Sequence, residues 1–157
     1  MAARLRHPFC LLLCGPSFSD KTEFVIKLIQ PWIIGQHIDD IVICYSEWQN
    51  AYETLRDRCR FVGGMLDPDD LDETVPHLVI TDDLQDTQDK RIKGFFVKYI
   101  SPSQYQLHIH LSELIWSGAR TSNMLLNASY IVLLASTRDR QILTLDDSRC
   151  FLLEKNS

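Results

Sequence analysis

The chain has 157 residues, of which 45% are hydrophobic and 24% are charged, and its formal net charge at pH 7 is −5. This length is sufficient for one domain with its own core, so we predict a single domain over residues 1–157 without a C-terminal extension. No apolar run is long enough to cross a bilayer, and we expect no membrane partner. Proteins that wrap nucleic acid usually have a basic face, and none is obvious in this acidic sequence. A local basic patch is the remaining alternative.

The first predicted element is the apolar run Phe9–Cys14, which we interpret as a core strand because a signal peptide needs a longer apolar region. A helix is predicted over Lys21–Ile29. The segment between them fits the phosphate-binding pattern G-x-x-x-x-G-K-[ST] at every fixed position but one. Its residues are Gly15, Pro16, Ser17, Phe18, Ser19, Asp20, Lys21 and Thr22. The order of strand, tight loop and helix favours a nucleotide-binding loop over a chance junction that contains a lysine.

Each fixed position of this loop has a chemical role. Gly15 permits the tight turn, and the backbone N–H groups at the helix start attract phosphate. Lys21 would reach the β- and γ-phosphates, and Thr22 would hold Mg²⁺ through its hydroxyl. Asp20 replaces the second glycine of the pattern. Aspartate tolerates left-handed backbone angles, but its charge would repel a triphosphate by about 1–4 kcal/mol at short range. The sequence therefore predicts either a weakened site or a loop that no longer holds nucleotide.

Four further strands are predicted downstream, at Ile41–Tyr45, His77–Thr81, Leu107–Ser112 and Tyr130–Ala135. Helices are predicted between and after them, at Trp48–Arg58, Gln88–Tyr99, Ala119–Leu126 and Thr137–Leu145, and Phe61-Val62 is a candidate for a short extra strand. Near-continuous apolar strands that alternate with helices indicate a sheet buried on both faces. We predict an α/β fold of three layers, with a mostly parallel central sheet of about five strands and helices on both faces.

Two acids, Asp82 and Asp83, directly follow the apolar residues of the third predicted strand. Ligands of open α/β sheets bind at the carboxyl ends of the strands, so this position suits a metal site. Asp82 would orient the shell of Mg²⁺, and Asp83 would polarise the attacking water. Acids at strand ends are often only solvated, but the preceding phosphate-binding loop favours the functional interpretation.

The fourth predicted strand is expected beside these two, where it would offer a polar side chain to the γ-phosphate. Ser112 and Glu113 stand there, and neither is an amide. Arginines near the ends of the later strands could serve as arginine fingers toward a neighbouring subunit, or could form surface salt bridges and helix caps instead. They are Arg120, Arg138 and Arg140.

The cysteines are Cys10, Cys14, Cys44, Cys59 and Cys150, and they form no C-x-x-C pair. Three of them lie in apolar, strand-like runs. This pattern favours buried thiols in a reducing, intracellular compartment, and it does not favour a structural metal site.

Beyond the nucleotide motifs, several blocks resemble the P-loop ATPases related to viral genome-packaging ATPases of the FtsK/HerA type, which occur in DNA viruses and mobile elements of animals. The blocks are His7-Pro8-Phe9, Gly15-Pro16-Ser17 with Lys21-Thr22, Tyr45-Ser46-Glu47-Trp48-Gln49, Val79-Ile80-Thr81-Asp82-Asp83-Leu84, Leu125-Leu126-Asn127-Ala128-Ser129-Tyr130-Ile131-Val132-Leu133 and Arg138-Asp139-Arg140. The chain departs from the family at Asp20, at Ser112-Glu113, where the family tends to have Gln-Asn, and in the segment Tyr99–His110, which lacks a basic stretch.

The resemblance implies a P-loop NTPase domain that binds and hydrolyses ATP with Mg²⁺. It also implies a homo-oligomeric ring that translocates double-stranded DNA into a capsid, with capsid or other viral proteins as partners and the host nucleus or cytoplasm as location. Two alternatives stay open. One is a catalytically degenerate P-loop domain that acts as a structural or interaction module, and the other is a nucleoside or small-molecule kinase.

Overall fold

The computed structural model of the chain describes residues 5–6, 9–15, 20–30, 38–72, 74–84, 106–112, 129–135 and 150–154. Its strands form one seven-stranded sheet with the order β3-β2-β4-β5-β1-β6-β7. All neighbouring strands in it run parallel. The strands are β1 Phe9–Cys14, β2 Asp40–Tyr45, β3 Arg60–Gly63, β4 His77–Asp82, β5 Gln106–Ser112, β6 Tyr130–Ala135 and β7 Cys150–Glu154. The chain is therefore an α/β protein with a parallel sheet, as its sequence predicts.

The predicted number of strands was wrong, although all five predicted strands are present. β3 extends the candidate Phe61-Val62 by one residue at each end and pairs with β2. β7 has no counterpart in the prediction and pairs with β6. Short apolar runs do not reveal their secondary structure by periodicity, and only pairing with a neighbour makes these segments strands. Asp82 consequently ends the fourth strand of the chain and not the third.

The first helix, α1, spans Lys21–Leu28 and ends one residue before its predicted end. The α-helix predicted over Trp48–Arg58 was wrong, because the structure has a 3₁₀ helix at Asn50–Leu55. Its turns close through i to i+3 bonds, such as the bond from the Tyr52 N–H to the Gln49 carbonyl. A second 3₁₀ helix lies at Pro68–Asp70. The other three predicted helices lie outside the described residues. In the part of the chain that the structure describes, no helix is long and apolar enough to span a membrane.

The sheet buries side chains on both faces, which explains its near-continuous apolar strands. Successive strand residues point to opposite faces, so Ile41 and Ile43 pack with Leu78 and Ile80 against α1, as part of one core cluster. Side chains at the intervening positions form a second cluster with the segment after β3. Its members are Val42, Cys44, Met65, Leu66, Leu71, Val79 and Leu84. By this alternation Asp82 lies on the α1 face of the sheet.

Ser129 and Tyr130, from a block that carries the family resemblance, tie the start of β1 to β6. The Ser129 N–H donates to the Cys10 carbonyl at 2.8 Å, and the Cys10 N–H donates to Ser129 Oγ at 3.3 Å. The Tyr130 hydroxyl accepts a hydrogen bond from the Arg6 N–H at 3.0 Å. These contacts fix the strand that leads into the phosphate-binding pattern.

Three of the cysteines predicted to be buried, namely Cys10, Cys14 and Cys44, are buried free thiols in β1 and β2. Burial raises the pKa of the Cys10 thiol to about 12 and that of the Cys44 thiol to about 11. A thiol with such a pKa is protonated at neutral pH and is a poor nucleophile. These side chains therefore contribute to the core.

Candidate functional site

The candidate site lies at the carboxyl edge of the sheet, where parallel strands β1, β2 and β4 end. β1 leads through Gly15 to α1, and β4 ends at Asp82. The register pairs Tyr45, the last residue of β2, with Asp82. The tertiary structure thus brings three separate stretches of the sequence to one edge, the place where open α/β sheets bind ligands.

Thr22 and Asp82, both predicted to hold Mg²⁺, are neighbours at this edge. The Thr22 Oγ1 lies 3.4 Å from Asp82 Oδ2, although 60 residues separate them in the sequence. Thr22 is set by the first turn of α1, and Asp82 by its place at the end of a buried strand. Two oxygen ligands of the kind that Mg²⁺ prefers are therefore adjacent.

Gln49 and Tyr52 complete a hydrogen-bond network around the same carboxylate. Gln49 Nε2 donates to Asp82 Oδ2 at 3.1 Å, and Gln49 Oε1 accepts from Thr22 Oγ1 at 2.9 Å. The Tyr52 hydroxyl donates to Asp82 Oδ2 as well. Gln49 and Tyr52 thus both donate to one oxygen, and the Thr22 hydroxyl of α1 lies beside it.

The Tyr52 ring is held in place by aromatic neighbours. Its centroid lies 5.9 Å from that of Tyr45, 5.4 Å from that of Trp48 and 5.6 Å from that of Phe61. These distances are typical of favourable tilted and edge-to-face aromatic pairs. The cluster fixes the 3₁₀ helix against the ends of β2 and β3, and with it the hydroxyl that reaches Asp82.

The electrostatics of the site are dominated by the burial of Asp82, which is only 5% exposed. Burial raises the pKa of Asp82, and the hydrogen bonds from Tyr52 and Thr22 oppose this shift, while the nearby charge of Asp83 adds to it. Burial, together with the charge of Asp82, also raises the pKa of Tyr52. The tyrosine therefore stays a neutral donor at physiological pH.

Lys21 and Asp20 occupy the described part of the loop next to α1. The Lys21 ammonium donates a hydrogen bond to the Gly15 carbonyl at 2.8 Å, which links the helix start to the end of β1. Asp20 has φ 61° and ψ 31°, the left-handed conformation expected where the pattern has glycine. Its carbonyl accepts the first helical bond from the Phe24 N–H at 2.9 Å. Asp20 thus retains the left-handed backbone that a glycine would adopt at this position. It also introduces a carboxylate, which is exposed.

The remaining predicted residues are placed only in part. Asp83 follows β4, is exposed, and also has a positive φ of 55°. Ser112 ends β5, between β4 and β1, and its backbone pairs with Cys14. β5 thus lies where the sequence predicts the strand nearest the γ-phosphate. The other predicted site residues lie outside the described residues, namely Pro16, Ser17, Phe18, Ser19, Glu113, Arg120, Arg138 and Arg140.

Whether the site suits a metal depends on its ligand set. Within the described ranges, no three His, Cys, Asp or Glu side chains come together as a ready-made metal site. Mg²⁺ bound with a nucleotide does not need one, because phosphate oxygens and waters supply most of its ligands. The Thr22 hydroxyl and the buried Asp82 carboxylate are hard oxygen ligands, and the carboxylate carries a charge that burial disfavours. These two residues fit a magnesium ion that arrives with its nucleotide.

Sequence reasoning did not assign Gln49 and Tyr52 to the site. It noted Gln49 only as part of a block that carries the resemblance, and it placed both residues in a helix. A signal was nevertheless present, because Gln49 is a polar residue shortly after a buried strand that neighbours the strand of Asp82. Polar residues at the carboxyl ends of adjacent parallel strands are expected to meet.

No protein-family model matches the chain, and no curated protein matches it.

Proposed function

We propose that the chain is a P-loop domain of three layers that binds a nucleoside triphosphate, ATP by resemblance, together with Mg²⁺. The observation that carries this proposal is the contact of Thr22 with Asp82. A phosphate-loop hydroxyl and a strand-end carboxylate have no structural need to meet across 60 positions of sequence. They nevertheless lie 3.4 Å apart at the edge of the sheet, where one metal ion would contact both.

The proposed roles follow from the chemistry of the side chains. Lys21 holds the β- and γ-phosphates as a point charge, and the backbone N–H groups at the start of α1 face the phosphates. Thr22 and Asp82 hold Mg²⁺, which neutralises charge on the phosphate oxygens. Lys21 lies at the Gly15 carbonyl and must exchange this partner for phosphate oxygens when nucleotide binds.

We further propose that the bound nucleotide is hydrolysed, as the resemblance to packaging ATPases implies. In this reaction the oxygen of water forms a bond to the γ-phosphorus while the bond to the β–γ bridging oxygen breaks. The proton of the water passes to Asp83, and ADP and phosphate leave. Asp83 suits this role because it is exposed beside Asp82. A homo-oligomeric ring that moves double-stranded DNA, with an arginine from a neighbour at each site, remains part of the proposal on the resemblance alone.

The direct test is calorimetric titration of Mg-ATP into the wild-type protein, Lys21→Ala and Lys27→Ala. Lys27 lies in the last turn of α1 and is the matched control. We expect saturable binding by the wild type and by Lys27→Ala, and a loss of at least about 10-fold in affinity for Lys21→Ala, because one charge-assisted contact is worth more than 1.4 kcal/mol. Absence of saturable binding by the wild type at millimolar nucleotide would overturn the proposal.

A second function is favoured by Asp20 and by the network at Asp82. Gln49 and Tyr52 both donate to Asp82 Oδ2, and Thr22 Oγ1 lies 3.4 Å from it, so side chains of the protein itself surround this carboxylate. A domain of this kind can act as a structural or interaction module that has lost hydrolysis. The exposed carboxylate of Asp20 beside the phosphate loop is the feature most directly opposed to nucleotide.

Asp20→Gly separates the two functions, and Asp20→Asn is its matched control. Asparagine removes the charge and tolerates the left-handed backbone, whereas glycine also frees the backbone. If charge alone weakens the site, both variants bind Mg-ATP at least about 5-fold more tightly than the wild type, since about 1–4 kcal/mol of repulsion is removed. Hydrolysis that rises in parallel identifies an intact ATPase site. No gain in either variant supports the interaction module.

A further inference from the structure

The amide of Gln49 lies between the two proposed metal ligands, and its orientation is fixed by them. An ionised carboxylate can only accept hydrogen bonds, so the NH₂ group of Gln49 must face Asp82. The amide oxygen then faces Thr22, which matches the distances of 3.1 Å to Asp82 Oδ2 and 2.9 Å to Thr22 Oγ1. Exchanging the two amide atoms would place the amide oxygen against the carboxylate and lose the bond to Asp82, and it would turn Thr22 from a donor to Gln49 into an acceptor.

This orientation determines what Thr22 can do. A hydroxyl has one proton and two acceptor lone pairs. The Thr22 proton has two acceptors within reach, Gln49 Oε1 at 2.9 Å and Asp82 Oδ2 at 3.4 Å, and the nearer one is Gln49. A proton donated to Gln49 leaves the lone pairs of Thr22 available to a cation and relieves Asp82 of one donor.

The position of Gln49 is set by the sheet and not by the site alone. β2 pairs with β4 so that Tyr45 stands opposite Asp82. The backbone of Gln49 is extended, with φ −113° and ψ 141°, and its carbonyl accepts the Tyr52 N–H at 3.0 Å at the start of the 3₁₀ helix. The backbone itself therefore places the amide at the same edge of the sheet.

We propose that Gln49 is a positioning residue for the metal, which orients the Thr22 hydroxyl and the Asp82 carboxylate for Mg²⁺. The sequence predicts a polar group for the γ-phosphate from the strand that ends at Ser112, where no amide is present. The amide of this site comes instead from the connection after β2. The inference rests on the proposed nucleotide site and adds to it a residue that acts through the two ligands.

The test compares ATP affinity with Mg²⁺ and with EDTA in the wild type, Gln49→Met and Gln30→Met. Methionine matches glutamine in length and has no amide. Gln30 is a close control because its side chain also donates one hydrogen bond, to the Ile26 carbonyl, and accepts one from Arg58. Loss of residues that orient metal ligands typically costs about 10–100-fold in metal affinity. In Gln49→Met we expect the affinity for ATP to fall by this factor when Mg²⁺ is present and to change by less than about twofold in EDTA. In Gln30→Met we expect no change in ATP affinity under either condition.

The outcomes separate this inference from the proposed function. An equal loss with Mg²⁺ and with EDTA in Gln49→Met would mean general damage to the site and would overturn the positioning role. A Mg²⁺ dependence in Gln49→Met equal to that of the wild type would also overturn it, while the nucleotide site would stand. Failure of the wild type to bind ATP under either condition would overturn both proposals. Urea denaturation of the wild type, Gln49→Met and Gln30→Met without ligand checks that the three proteins have the same free energy of unfolding.

Discussion

The two ends of strand β4 carry buried polar side chains in opposite situations. At its carboxyl end, Asp82 is 5% exposed and accepts hydrogen bonds from Gln49 and Tyr52, with the Thr22 hydroxyl 3.4 Å away. At its amino end, His77 is 1% exposed, and among the described residues its ring nitrogens form no hydrogen bond of ordinary geometry, although the backbones of Val75 and Asp72 lie close enough to act on its pKa. The same strand therefore holds one buried polar group that is well hydrogen-bonded and one that is not.

The difference lies in how each buried polar group is accommodated. Burying a charge is tolerated when the surrounding groups are arranged to stabilise it, and such arrangements are characteristic of ligand sites. Burying an imidazole without hydrogen bonds costs stability and organises nothing around it. Burial lowers the pKa of His77, and the backbone of Val75 and the carboxylate of Asp40 oppose this shift only in part. Substitution at the carboxyl end should therefore change ligand affinity, whereas substitution at the amino end should change stability alone.

The largest effect is expected for Asp82→Asn, which removes the charge and nearly preserves the shape. Affinity for Mg-ATP should fall by at least about 100-fold, because Asp82 is proposed as a direct ligand, and a direct ligand contributes no less than the residues that orient it. The folded-state pKa of Asp82 is raised, so its ionised form at neutral pH costs stability that is regained only as the pH falls. Without ligand, Asp82→Asn should therefore be about 0.5–2 kcal/mol more stable at pH 7 in urea denaturation.

Asp83→Asn is the matched control, because the adjacent carboxylate is exposed. Its free energy of unfolding should change by no more than about 0.5 kcal/mol, and its affinity for Mg-ATP should be retained. A loss of stability in Asp82→Asn without ligand would show that the network at Asp82 is a structural one. The contrast between the two ends of β4 would then disappear.

A smaller effect, on stability alone, is expected for His77→Leu at the other end. Leucine is apolar and similar in volume to histidine. It removes the free-energy cost of burying two ring nitrogens that form no hydrogen bond of ordinary geometry within the described part of the chain. The free energy of unfolding should rise by about 1–3 kcal/mol, measured by urea denaturation with an unchanged m-value. Affinity for Mg-ATP should not change, because His77 lies at the opposite edge of the sheet. Destabilisation would mean that the imidazole has a stabilising role.

The smallest expected effect is the difference between the wild type and His77→Leu in how the free energy of unfolding depends on pH. The pKa of His77 is lowered in the folded state, so below its usual value of 6.5 the unfolded chain binds a proton that the folded protein does not. Wild-type stability should therefore fall as the pH drops through 6.5 toward the folded-state pKa, by at most about 1.4 kcal/mol per pH unit for one proton. His77→Leu should lack this component, and identical profiles of the two proteins would contradict the assignment.

The strands were largely predictable because their signal is local. Runs such as Phe9–Cys14 and Tyr130–Ala135 are apolar throughout, and the structure confirms both with the predicted bounds. β7 was not predicted, because a short apolar run becomes a strand only through its pairing with β6. The segment after β2 was wrongly predicted as an α-helix. Its residues satisfy partners that are remote in sequence, such as Asp82 for Tyr52, and local propensity does not register such partners.

The sequence by itself determined the phosphate-binding pattern, the acids after a buried strand and the parallel α/β class, because motif spacing and apolar runs are properties of neighbouring residues. The tertiary structure decided the order of the strands, and this order brings Thr22, Gln49, Tyr52 and Asp82 to one edge of the sheet. It also decided that Asp20 adopts the left-handed backbone of a glycine while its carboxylate stays exposed. Contacts across many residues depend on how the sheet is assembled, and no local pattern encodes them.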